Sequence, residues 1–101
     1  MKFSIHLAVF KYRIYFYIGE DTKKDFLKDI SKTKLDNDVL GYCTSNFIWV
    51  KDIDDVSVLV HEIHHAKYNL VERDGIDDEE TEAYIVEYLV KHALIKIKGA
   101  K

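Results

Sequence analysis

His61 and His65 stand four positions apart, and Glu62 directly follows the first of them. The run around them, Val56 to Leu70, carries Val56, Leu59, Val60, Ile63, Ala66 and Leu70 at helical spacing. On a helix, residues at i and i+4 project from one face, one turn apart, so both imidazoles can reach a single metal ion. A glutamate beside the first histidine then sits next to that ion, where it can take a proton from water. The pattern predicts metal-assisted hydrolysis, with zinc held by His61 and His65 and with Glu62 as general base. His64 is rotated off the shared face, and the spacing gives it no ligand role.

These side chains need elements to hold them. Asp52, Asp54 and Asp55 offer N-caps for a motif helix from about Asp55 to Val71, and Gly75 follows as a C-terminal stop. Before it, Val39 to Lys51 reads as one or two strands with a turn at Ser45-Asn46. The segment Phe3 to Ile18 is rich in β-branched and aromatic residues and reads as two strands turning near Phe10 to Tyr12. A short amphipathic helix is expected over Lys23 to Ser31. A last helix should run from Asp77 or Asp78 to about Ile97, with Ala83, Val86, Leu89, Val90, Ala93, Leu94 and Ile97 as its apolar stripe. Acidic residues crowd its start and lysines its end, which suits the helix dipole. These elements predict one α+β domain spanning 1–101, a sheet of three or four strands packed on three helices.

A catalytic zinc needs a third protein donor and an open position. The acidic residues at the start of the last helix, Asp77, Asp78, Glu79, Glu80 and Glu82, are the natural supply. Cys43 lies in a strand-like segment before the motif, and His92 falls about two turns further along the last helix.

His61-Glu62-x-x-His65, followed by Glu80-Thr81-Glu82-Ala83-Tyr84, resembles the zincin metallopeptidases with a glutamate third ligand. The continuation Ala83-Tyr84-Ile85-Val86-Glu87-Tyr88-Leu89 is also similar to small phage-encoded H-E-x-x-H proteins. The resemblance covers about Phe47 to Leu89. It implies a minimal zincin-like domain, with Glu80 as the third ligand and Glu82, then Glu79, as the alternatives. It also implies that Phe47 to Val50 is an edge strand that pairs with an extended peptide or protein substrate. Tyr84 and Tyr88 read first as packing residues; one of their phenols near the metal would stabilise an oxyanion.

Bulk properties narrow the setting. Fifteen basic and 18 acidic residues give a net charge of -3, without the basic face of a nucleic-acid-binding domain. Cys43 is the only cysteine, so no disulfide can form within the chain, and a reducing cytoplasm is expected. The apolar start is interrupted by Lys11 and Arg13 with no cleavage-site pattern, and it reads as folded structure with no membrane span. So small a domain leaves room for a homo-oligomer to complete the cleft. Two rivals to a peptidase follow from the same residues: a non-catalytic, metal-stabilised binding or regulatory module, and an interaction protein in which the motif is accidental. Histidine and glutamate donors also accept Mn, Fe or Co.

Overall fold

A computed structural model describes residues 1–100. Strands β1 (Lys2–Leu7) and β2 (Tyr12–Ile18) form an antiparallel pair joined through a 3-10 turn, Ala8–Phe10, and a left-handed Lys11. Helix α1 (Lys23–Asp29) follows, then strands β3 (Gly41–Thr44) and β4 (Phe47–Val50), then the long helices α2 (Val56–Asp74) and α3 (Glu79–Ala100). The fold is α+β: four strands in the order β1-β2-β4-β3, with three helices.

The sheet is mixed. β4 runs parallel to β2 and antiparallel to β3. It is therefore an interior strand, and β3 is the edge. This corrects the expectation that Phe47 to Val50 form the edge. Ile48, Trp49 and Val50 are all buried because both faces of β4 are covered.

One sheet face carries Ile5, Ile14, Phe16, Ile18, Ile48 and Val50, packed against Leu59, Ile63, Ala66 and Leu70 of α2 and Ile85, Leu89, Ala93 and Ile97 of α3. A second, smaller cluster on the other face joins Tyr17 and Trp49 to Phe26 of α1 and Leu35. The expected stripe of α3 is shifted: Ala83 is exposed, and the buried seam starts at Ile85. Each fully buried large aliphatic or aromatic side chain contributes about 1.5–3 kcal/mol, so these two clusters fix how the helices sit on the sheet.

The helix bearing the motif is bounded as its sequence suggests. The Asp55 carboxylate accepts from the Val58 N–H at 3.2 Å at the N-terminus. At the other end Gly75 adopts φ 65°, and its N–H donates to the Val71 carbonyl. Between these caps α2 lies over β3 and β4, while α3 lies beside α2 and reaches β1. Among the described residues no helix is long and apolar enough to cross a membrane.

Candidate metal centre

Burial of Leu59, Ile63, Ala66 and Leu70 against the sheet sets the rotation of α2, and that rotation turns His61 and His65 outward. Their Nε2 atoms converge to 3.1 Å, with the rings edge to face. Without an ion, one ring donates and the other accepts, as the tautomers allow. Two nitrogens on a tetrahedral zinc at 2.0–2.1 Å would stand about 3.3 Å apart, so the pair already has nearly the spacing of two ligands.

Glu62 occupies the border between core and surface. The residue is only 6% exposed; its carboxylate makes no hydrogen bond to another described residue, and its oxygens keep contact with solvent. Burial pushes its carboxyl above the usual range, while the charges of His61 and His65 act in the opposite direction. His61, Glu62 and His65 form a group whose ligating atoms all lie within 4.8 Å of one another. The donor set, two imidazole nitrogens and a carboxylate, fits zinc or another first-row divalent ion.

The edge strand packs against Glu62. A methyl group built on Gly41 would lie 2.8 Å from Glu62 Oε2, 3.1 Å from Glu62 Cγ and 2.6 Å from Val58 Cγ1. Two residues along the same strand face, Cys43 packs against the main core, and its thiol is pushed up to about 12, first by burial and then by the charge of Glu62. Sequence reasoning missed Gly41. Its only signal was a glycine at the head of an otherwise strand-forming run, which marks a close approach of backbone to a neighbour.

The other candidates lie elsewhere. Glu80 is exposed, and neither it, Glu79 nor Glu82 joins the histidine pair. Glu82 Oε1 instead accepts from Lys67 Nζ at 3.3 Å, and Glu79, Glu82 and His64 line a groove between α2 and α3. Glu79 and Glu82 lie along the flank of α2 that carries His64 and Lys67, and no carboxylate of α3 joins the histidine pair in the metal-capable group. Tyr84 and Tyr88 line a groove with His6 to Val9 beside β1, at the opposite edge of the sheet from β3. The rings of His92 and Tyr88 lie against each other, centroids 4.1 Å apart and planes tilted by 37°. These aromatic residues are remote from the metal-capable group.

The chain matches no family, no curated protein and no solved structure.

Proposed function

We propose that the protein is a metal-dependent peptidase in which His61 and His65 supply two ligands of a zinc ion, a second copy of the chain completes the cleft with the third donor, and Glu62 is the general base. The observation that carries this reading is the convergence of the two Nε2 atoms at 3.1 Å beside a nearly buried carboxylate. Zinc bound there supplies Lewis acidity, polarising a carbonyl and making water acidic near neutrality. Glu62 accepts the proton of the attacking water. As the C–N bond breaks, Glu62 returns that proton to the leaving amine. A carboxyl raised by burial suits both halves of this exchange, since it binds and releases a proton closer to neutral pH.

The substrate in this reading is an extended peptide segment that adds to the sheet at β3. The Lys51 N–H donates to the Leu40 carbonyl, and the pairs Tyr42–Trp49 and Thr44–Phe47 continue that alternation. The N–H and C=O groups of Gly41 and Cys43 therefore point away from β4, towards the free edge. The edge role expected of Phe47 to Val50 passes to these residues. A cytoplasmic setting suits a chain whose one cysteine is structural and unpaired.

A second reading is favoured by one observation: Glu62 belongs to the donor group, and no α3 carboxylate does. In that case Glu62 is itself the third ligand, and the domain is a non-catalytic, metal-stabilised binding module. Zinc titration and hydrolysis of a peptide library, run on tag-free native chain and on Glu62→Gln, separate the two. A base predicts retained zinc and lost hydrolysis in the variant. A ligand predicts weakened zinc binding and no hydrolysis by either protein. Failure of the native chain to bind zinc would overturn both.

A further inference from the structure

The catalytic reading requires the Glu62 carboxylate to stay beside the histidine pair, and no hydrogen bond among the described residues holds it there, its oxygens meeting solvent instead. Its position must come from packing. On the side of α2 facing β3, that packing is against the backbone of Gly41, where even one added carbon would fall 2.8 Å from Oε2 and 3.1 Å from Cγ. Both distances are shorter than ordinary van der Waals contact between these atoms, about 3.5–4.0 Å for a carbon pair. The space is not left free for reasons of backbone conformation: of the glycines, only Gly19 and Gly75 have positive φ, so an alanine at position 41 suits the backbone. What position 41 cannot hold is a side chain, because Glu62 and Val58 are already there.

We propose that Gly41 is a positioning residue: by carrying no side chain where β3 crosses α2, it lets the edge strand seat the Glu62 carboxylate beside His61 and His65. The proposal rests on the peptidase reading for its catalytic consequence, and on geometry alone for the contact. Gly41 also presents its peptide groups to the free edge, so one residue sets the spacing between the edge and the base. A bulkier residue would displace the carboxylate, the edge, or both. The histidine nitrogens, on the solvent side of α2, would keep their spacing.

The test uses Val58→Ala as its reference background, because removing Cγ1 relieves the closest conflict, at 2.6 Å, and keeps the one with Glu62. In that background, Gly41→Ala and Glu62→Ala are combined in a double-mutant cycle read by thermal unfolding of the zinc-free protein. Glu62→Ala removes both Oε2 and Cγ, so the loss of Tm caused by Gly41→Ala should shrink. In the zinc-loaded protein, Gly41→Ala should lower kcat by on the order of 100-fold, as expected for a base displaced by about 1 Å, with zinc affinity kept. Additive Tm changes, or a kcat equal to that of the Val58→Ala reference, would overturn the proposal. If the native chain hydrolyses nothing, the peptidase reading falls, and the zinc-free cycle still decides whether Gly41 seats Glu62.

Discussion

Lys67 Nζ meets Glu82 Oε1 at 3.3 Å, and this ion pair ties α3 to one flank of α2. At about 100° per residue, Lys67 points roughly 120° away from His61 and 160° away from His65. The Glu82 carboxylate is therefore anchored away from the histidine pair, although in sequence it follows the pair closely. The motif and the acidic cluster are neighbours along the chain and belong to different surfaces of the fold.

Zinc binding should follow that division. His61→Ala and His65→Ala should each abolish stoichiometric zinc binding measured by calorimetry on tag-free protein. Glu80→Gln and Glu82→Gln should leave it unchanged. Glu82→Gln should lower stability by at most about 1 kcal/mol, because both members of its ion pair keep access to solvent. Loss of zinc affinity in Glu80→Gln would mean that α3 supplies the third donor after all.

The zinc-free protein should show the strain of its buried carboxylate as a pH slope. Glu62 is raised above its ordinary 4.5, chiefly by burial. Between those values the folded state holds a proton that the unfolded chain has released. Stability from this group is thus complete below the unfolded value and falls as pH rises through the folded one. Glu62→Gln removes that loss, so the zinc-free variant should be more stable than the native chain at neutral pH and should lose this advantage in acid. Urea unfolding across that range measures it. Parallel pH profiles for the two proteins would sink the idea.

How much of this was legible in the sequence depends on the range of the interactions involved. Helix α2 was legible because its signals are local: Asp55 caps it, Gly75 ends it, and Leu59, Ile63, Ala66 and Leu70 recur at its period. The histidine pair came with it. Strand order was not legible, because it depends on which strands pair across the whole chain. Even so, the consecutive burial of Ile48, Trp49 and Val50 had a trace in the unbroken apolar run Phe47 to Val50, which suits a strand covered on both faces better than an edge. The flank taken by α3 was illegible for the same reason. It is set by the seam of Ile85, Leu89, Ala93 and Ile97, and that seam places Glu82 against Lys67.

On the opposite sheet face, the phenol of Tyr17 donates to Asp29 Oδ2 at 2.5 Å and edges against Phe26. This contact fastens α1 to the sheet. Burial first, and then the hydrogen bond to Asp29, raise the phenol well above its ordinary 10.0. Stability from this group is complete below pH 10.0 and is lost as pH rises beyond it. Tyr17→Phe should cost about 1 kcal/mol at neutral pH, the usual net contribution of one hydrogen bond. It should also flatten the alkaline decline seen by chemical unfolding. An unchanged decline in the variant would show that the phenol does not control it.

Cys43 gives an independent reading of where Glu62 points. Its thiol is pushed up to about 12 by burial and, secondly, by the Glu62 charge. The thiolate is the nucleophile, so alkylation by iodoacetamide should be very slow at neutral pH and should accelerate only in strong alkali. Glu62→Gln removes the electrostatic cause and leaves burial in place. The midpoint of the alkylation profile should then move down without reaching the range of an exposed cysteine, about 8.5. A native midpoint already near that range would mean that β3 does not pack Cys43 against α2. A midpoint unmoved by Glu62→Gln would mean that the carboxylate turns away from the strand. Since the same strand face carries Gly41, that second outcome would also remove the contact on which the seating of the base depends.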